Sequence, residues 1–314
     1  MTKTTAILPA AARPLLEHHL PDWLAPRWFA SHDNAMAMAP GAEIGWLDMN
    51  DKAAMASAIA AATDLKWLTS IYAGLDGLPL EQLKRQGTVV TNGAGINAVT
   101  IAEYVVMGML TVAKGYRDVV RAQDAHEWLI DSPGKVELFG SKALLLGYGA
   151  IGTLVEERLN GFGVDVSIVR RTPGPGTLAP GEWRARLGEF DWVILAVPAT
   201  PETEKMIGVD ELGAMKSSAT LINIARGTVV DQDALVAALT AKTIGSAFLD
   251  VTDPEPLPAD HPLWSLKNAH ITMHLSGRAQ DKMFQRSAAR FLQNLTRYRE
   301  GEALEPVVNL DLGY

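Results

Sequence analysis

At 314 residues the chain exceeds one ordinary domain, so two are expected, each large enough to bury its own core. Acids outnumber Lys plus Arg by 36 to 28, and the net charge of -8 argues against general binding to nucleic acid or anionic membranes. The absence of cysteine excludes disulfides, thiol catalysis and Cys-built zinc or iron–sulfur sites. In chain order, a strand is expected at Thr5–Leu8, a helix at Ala11–His19 and a strand at Ile44–Asp48. An Ala-rich helix, Ala53–Ala62, precedes the apolar segment Leu65–Ile71. Val89–Thr91 is β-like and ends in the Asn92-Gly93-Ala94-Gly95 turn. From Thr100 a helical period runs to about Arg121 without an expected break, and His126–Gly134, carrying Trp128, reads as a loop. Ala6–Leu8 is too brief for the core of a signal peptide and Val105–Ala113 too short for a membrane span, so a cytoplasmic location is expected.

The second half has a cleaner rhythm. Strands are expected at Ala143–Leu146, Val164–Val169, Trp192–Val197, Ala219–Ile224, Ala247–Val251 and Ile271–Met273. Helices are expected at Ile151–Asn160, Glu211–Met215 and Gln232–Leu239, the last capped by Asp231, with Met283–Tyr298 helical at the end. Strands rich in Val, Ile and Leu that alternate with helices imply an α/β protein whose mostly parallel sheet is covered on both faces.

Gly147-Tyr148-Gly149-Ala150-Ile151-Gly152 follows a strand and opens a helix. The first glycine permits a tight turn, the second lets backbone approach a pyrophosphate, and the third seats the helix on the sheet. Helix-start N–H groups then face the phosphates. A nicotinamide dinucleotide is the expected cofactor. At the end of the next strand an NAD site normally offers Asp or Glu to the adenosine ribose. Here Val169-Arg170-Arg171-Thr172 offers two guanidiniums instead, which suit a 2′-phosphate, so NADP(H) is preferred and NAD(H) remains open. A solvated basic loop is the plainer alternative.

Three further residues stand at or just past predicted strand ends: Arg226, Glu255 and His274. Hydride arriving at a ketone develops charge on oxygen, which calls for a proton donor that titrates near neutrality. Histidine provides it, a carboxylate orients the ring, and arginine clamps a substrate carboxylate and polarises the carbonyl. By residue type alone His274 also fits a structural histidine, Arg226 a salt bridge and Glu255 a turn cap. Spacing does not bring them together.

The chain resembles the D-isomer-specific 2-hydroxyacid dehydrogenase family over essentially its whole length. The matching stretches are Gly147–Gly152, Pro198-Ala199-Thr200-Pro201-Glu202-Thr203, Asn223–Asp231, Leu249–Pro258 and Asn268–Gly277. The resemblance implies Arg226, Glu255 and His274 as the catalytic set. It implies Ile71-Tyr72-Ala73-Gly74-Leu75-Asp76 as the substrate loop, with the Ala73 and Gly74 N–H groups receiving the substrate carboxylate. Tyr72, directly before these amides, is a candidate pocket liner; Trp46 and Trp264 are less direct candidates, with core aromatics the alternative. It adds Thr172, Val197, Pro198, Ala225 and Asp250 to the cofactor contacts, and matches Asn97 and Glu103 to positions at the interdomain crossing. Met273 replaces the Pro that usually precedes the family's histidine, and Arg170 replaces its usual Asp.

The implied architecture is a Rossmann-type doubly wound parallel sheet, residues 101–279, with a smaller flavodoxin-like α/β substrate domain from residues 1–100 and 280–314. A dimerisation segment is expected near 101–133, with Trp128 either an interface anchor or a residue reaching the partner's active site. Within the family the subgroup of glyoxylate/hydroxypyruvate reductases is nearest. The expected reaction is NADPH-dependent reduction of a small 2-oxo acid to the D-2-hydroxy acid, in a homodimer, with no metal, nucleic acid or membrane involved. Rival readings are a nicotinamide-binding interaction or corepressor module, and another dehydrogenase chemistry such as formate or phosphite oxidation.

Overall fold

The computed structural model describes residues 3–75, 77–278 and 280–311. The chain divides into two compact units, residues 1–97 with 279–314, and residues 98–278.

In the first unit β1 (Thr4–Pro9), β2 (Leu24–Phe29), β3 (Ile44–Trp46), β4 (Trp67–Thr69) and β5 (Val89–Thr91) form a parallel sheet in the order β2-β1-β3-β4-β5. This is the flavodoxin-like order. Helices α1 (Arg13–Leu16), α2 (His32–Met38), α3 (Lys52–Ala61) and α4 (Leu80–Gln86) connect the strands. The predicted helix at Ala11–His19 is instead a short α-helical turn between two 3-10 turns. Pro14, in the first turn of α1, has no N–H to bond back to Ala10 O, so the preceding 3-10 turn does not continue into α1 as one α-helix. Strand β2 and helices α2 and α4 were not legible. Pro26 argues against a strand, but β2 lies at the sheet edge, where a missing donor is tolerated. The C-terminal helix Gln280–Glu300 packs Phe291 against Trp46 and Trp67, with ring centroids 5.8 and 5.1 Å apart. Trp46 is therefore a core residue.

The second unit begins with α5 (Ala98–Ala113) and α6 (Tyr116–Asp124), which meet at a 70° bend. The expected unbroken helix from Thr100 to Arg121 does not form. Gly115 adopts φ 59°, and a Cβ there would lie 2.8 Å from the Pro133 backbone, so the returning loop dictates the break. No single described helix is long and apolar enough to cross a membrane.

Strands β6 (Lys142–Leu146), β7 (Asp165–Val169), β8 (Thr177–Leu178), β9 (Trp192–Leu195), β10 (Thr220–Asn223), β11 (Ser246–Leu249) and β12 (Ala269–Ile271) are all parallel. Their order, β12-β11-β10-β9-β6-β7-β8, reverses direction between β6 and β9, which is the Rossmann switch point. Helices α7 (Ala150–Gly161), α8 (Val209–Ala214) and α9 (Gln232–Ala241) complete the unit. Alternate strand residues face opposite sides: Leu144 and Leu146 join one apolar cluster, Ala143 and Leu145 the other. Burial on both faces explains the continuous Val/Ile/Leu runs.

Candidate active site

The glycines of the fingerprint have separate physical roles. Gly147 takes φ 103°, and a Cβ there would meet Ala196 O at 2.4 Å. A Cβ on Gly152 would meet Gly147 O at 2.4 Å, so helix α7 is pressed onto the turn. Around Gly149 there is open space, and this residue starts α7 without a side-chain cap, leaving first-turn N–H groups for an anion. These features fit a dinucleotide pyrophosphate. Ala150 and Ile151 form the first turn of α7. Tyr148 turns its hydroxyl to donate to Glu156 at 2.5 Å, a bond that raises the phenol above its ordinary range.

Arg170, Arg171 and Thr172 follow β7 and are exposed. The charge of Arg170 acts on the Tyr148 phenol, whereas that of Arg171 acts on Glu202. The two guanidiniums thus serve different surroundings, and Arg170 is the one beside the fingerprint. Val197 and Pro198 follow β9, and Ala225 follows β10, on the same carboxyl edge of the sheet.

At the end of β10 the buried Asn223 side chain accepts from Ala225 N at 3.0 Å and donates to Arg226 O at 2.9 Å. This clamps the turn that carries Arg226, whose guanidinium donates to Ala225 O at 2.7 Å. A Cβ on Gly227 would come within 2.0 Å of Thr252 O, so this turn lies directly on the loop after β11. In that loop Thr252 N donates to Glu255 Oε1 at 3.2 Å, and Glu255 Oε2 lies 2.8 Å from His274 Nδ1. Partial burial pushes Glu255 up, but the His274 hydrogen bond and charge, the Thr252 N–H and the Arg226 charge outweigh it and hold the carboxyl below its ordinary value. Glu255 and His274 are thus in direct contact, with Arg226 within electrostatic reach.

Met273 and His274 both lie in the left-handed region, with φ 54° and 56°. Each such residue costs on the order of 1–2 kcal/mol. Asp250 supplies the compensation. Its carboxylate accepts from Thr272 Oγ1 at 2.7 Å, Leu275 N at 3.0 Å, Ser276 N at 3.2 Å and Ser276 Oγ, while its backbone carbonyl accepts from His274 N at 2.5 Å. Asp250, expected at the cofactor, is 2% exposed, and its carboxylate holds the histidine loop. Proline, fixed near φ −65°, does not fit the conformation that Met273 adopts.

In the first unit the loop after β4 is held from two sides. Asp48, two residues beyond β3, accepts from Ile71 N at 2.7 Å, Ser70 Oγ at 2.6 Å and Trp46 Nε1 at 2.9 Å. Ser70 Oγ in turn accepts from Tyr72 N at 3.1 Å. From the end of β5, Gly93 N donates to Tyr72 O at 2.8 Å and Asn92 Nδ2 to Ala73 O at 2.6 Å. In a trans peptide the N–H points opposite its C=O. With the Tyr72 and Ala73 carbonyls tied inward, the Ala73 and Gly74 N–H groups face away from Asn92 and Gly93, and neither donates to a described acceptor. Two adjacent outward amides of this kind can receive an anion. Tyr72 is 40% exposed beside them; Asp76 lies outside the described residues. Arg290 supports this arrangement by donating to Asn92 O and Ala94 O.

Of the remaining expectations, Asn97 Oδ1 is buried without a hydrogen-bond partner among the described residues, and Glu103 is exposed on α5. Trp264 lines a cleft with Met107, Arg117 and His270. Burial, with the Arg117 charge, depresses His270 to about 4. Asp48, Ser70 and Asn92 escaped sequence reasoning. The one available signal was a polar residue at the end of each of three consecutive apolar strands.

A Rossmann sheet with an anion-ready fingerprint, and an Arg–Glu–His set on its strand-end loops, defines a nicotinamide-dependent oxidoreductase. Residues 106–276 match the NAD-binding domain of the D-isomer specific 2-hydroxyacid dehydrogenases. The chain is 31% identical to a glyoxylate/hydroxypyruvate reductase B of Yersinia pestis over 258 residues, covering 79% of this chain and 78% of that protein. A solved structure of a family member from Aeromonas salmonicida superposes with a TM-score of 0.88 and 28% identity, covering 99% of this chain and 100% of that one. Another, from Xanthobacter autotrophicus in complex with NADPH and MES, gives 0.81 and 25%, with both chains fully covered. The protein belongs to the D-isomer specific 2-hydroxyacid dehydrogenase family and is an oxidoreductase acting on CH–OH donors.

Proposed function

We propose that the protein reduces a small 2-oxo acid of the glyoxylate or hydroxypyruvate kind to its D-2-hydroxy acid, with NADPH as the preferred reductant. The observation that carries this reading is the 2.8 Å His274–Glu255 contact within reach of the Arg226 charge. Reduced nicotinamide, when bound, supplies the hydride for the carbonyl carbon. The Ala73 and Gly74 amides take the substrate carboxylate, and Arg226 binds it and polarises the ketone. His274 delivers a proton from Nε2 to the developing alkoxide, while Glu255 on Nδ1 orients the ring and stabilises the imidazolium before transfer. Gly147–Gly152 would hold the pyrophosphate, with Val197, Pro198 and Ala225 along the same sheet edge.

NADPH is favoured because Arg170 stands where a ribose-binding carboxylate is usual, beside Tyr148 of the fingerprint. Charge-assisted contacts to a 2′-phosphate contribute about 2–4 kcal/mol, or roughly 30- to 1000-fold in affinity. The relative from Xanthobacter autotrophicus was solved with NADPH, which supports the choice. The assembly is a homodimer: Trp128, Ile130 and Phe139 are 94%, 100% and 79% exposed in one segment, an apolar surface suited to a second copy. Light scattering at micromolar concentration checks this, and a monomer throughout rejects it.

The functional test is oxidation of NADPH and of NADH with glyoxylate, hydroxypyruvate, pyruvate and bulkier 2-oxo acids at fixed ionic strength. Turnover of the small acids with a kcat/KM preference for NADPH is expected, and Arg170→Asp reverses that preference. Turnover restricted to aromatic 2-oxo acids, or equal use of NADH, overturns the corresponding part of the reading. No turnover with any acid despite cofactor binding overturns the whole.

A further inference from the structure

The loop that offers the Ala73 and Gly74 amides is shaped by groups outside the Arg–Glu–His set. Its first N–H groups, those of Ile71 and Tyr72, both point inward, to Asp48 Oδ2 at 2.7 Å and to Ser70 Oγ at 3.1 Å. Ser70 is held in turn by Asp48 Oδ1 at 2.6 Å. One carboxylate therefore fixes two successive peptide orientations, directly and through one hydroxyl. Immediately afterwards the carbonyls of Tyr72 and Ala73 are captured by Gly93 N and Asn92 Nδ2, and the next two N–H groups turn outward. A Cβ on Gly93 would come within 1.8 Å of Ile71 O, so the loop lies against the β5 turn with no room to shift that way.

We propose that Asp48 is a positioning residue for substrate binding, acting through Ser70 and Ile71 to set the outward orientation of the Ala73 and Gly74 amides. The inference rests on the reading of that amide pair as the substrate-carboxylate site. Burial lifts Asp48 to about 6, against the pull of its Ser70, Ile71 and Trp46 donors, so it is ionised at neutral pH and accepts from all of them. A neutral amide in its place retains one acceptor oxygen, and an alanine retains none.

The test compares Asp48→Ala, Asp48→Asn, Ser70→Ala and Gly74→Pro, with glyoxylate as substrate and NADPH at saturation. Asp48→Ala is expected to raise KM about 10- to 100-fold, the loss of one or two hydrogen bonds to a charged group. Its kcat stays within about threefold and its NADPH affinity is unchanged. Ser70→Ala and Asp48→Asn fall between Asp48→Ala and the parent, and carry the test if Asp48→Ala does not fold. Gly74→Pro deletes one of the amides and raises KM independently. If Gly74→Pro raises KM while the Asp48 and Ser70 variants do not, the positioning role is overturned and the carboxylate site stands. If none of them moves KM, the site reading falls and the positioning role with it. Parallel loss of KM, kcat and cofactor affinity in the Asp48 and Ser70 variants reduces Asp48 to general stability, which also overturns the proposal.

Discussion

Asp48, just beyond β3 in the first unit, and Asp250, just beyond β11 in the second, organise neighbouring loops by the same means but to different degrees. Asp250 is 2% exposed and takes every side-chain bond described above from one loop, at Thr272, Leu275 and Ser276. Asp48 is partly buried and draws its donors both from Trp46, at the end of β3, and from the Ser70–Ile71 turn. The loop at His274 carries two left-handed non-glycine residues; Asp250 takes its backbone and hydroxyl donors, and Glu255 meets the His274 ring. The loop at Tyr72 has a second set of anchors in Asn92 and Gly93. A carboxylate that takes most of the backbone donors of a strained loop is expected to be indispensable, and one that shares them with Asn92 and Gly93 to tune.

The largest consequence falls on Asp250. Asp250→Ala leaves several buried donors without an acceptor, and a loss of about 3 kcal/mol in folding stability is expected, with kcat reduced at least about 100-fold. NADPH affinity stays within about threefold, because the side chain serves the loop. Urea melts, steady-state kinetics and a fluorescence titration of cofactor check the three parts. Cofactor affinity falling in step with kcat would return Asp250 to the cofactor site.

A smaller effect concerns the pH dependence that Asp48 contributes. The folded state holds the Asp48 proton more tightly than the unfolded chain, whose Asp titrates near 3.9. The stabilising contribution of that group is complete below the unfolded value and is lost as pH rises through about 6. Asp48→Asn is therefore expected to gain about 2 kcal/mol on the parent between pH 4 and pH 7.5, read as the change in their stability difference from urea melts. A pH-independent difference would show that Asp48 titrates as an ordinary surface acid.

The smallest effect concerns backbone strain. Met273→Gly relieves one left-handed residue and costs chain entropy, for a net stabilisation of about 0.5 kcal/mol. Destabilisation by more than about 1 kcal/mol would mean that the Met273 side chain, 61% exposed, has a contact that outweighs the strain.

These carboxylates also mark where the sequence stops being readable. The fingerprint was legible because its pattern is contiguous: Gly147, Gly149 and Gly152 fall in one short stretch between a strand and a helix, even though the carbonyl that excludes a side chain at Gly147 belongs to the distant Ala196. The strands of the second unit were legible because burial on both faces leaves an unmistakable apolar run. Gly115 was not read as a break, because the helical period continues on both sides and the steric cause is Pro133, in a different segment. Strand β2 was hidden by Pro26, whose tolerance depends on edge position, a property of the assembled sheet. Asp48 and Asp250 look alike in sequence. Only the return of Ser70 beside one and Thr272 beside the other shows what each acid holds.

The most direct test of the proposed chemistry is kcat/KM for glyoxylate with NADPH, compared between the parent protein and His274→Gln at matched cofactor occupancy. Loss of the proton donor is expected to lower kcat/KM by about 100- to 10,000-fold while leaving NADPH affinity intact. A variant that reduces glyoxylate at the parental rate would contradict the assignment of His274, and with it the role given to the Glu255 contact.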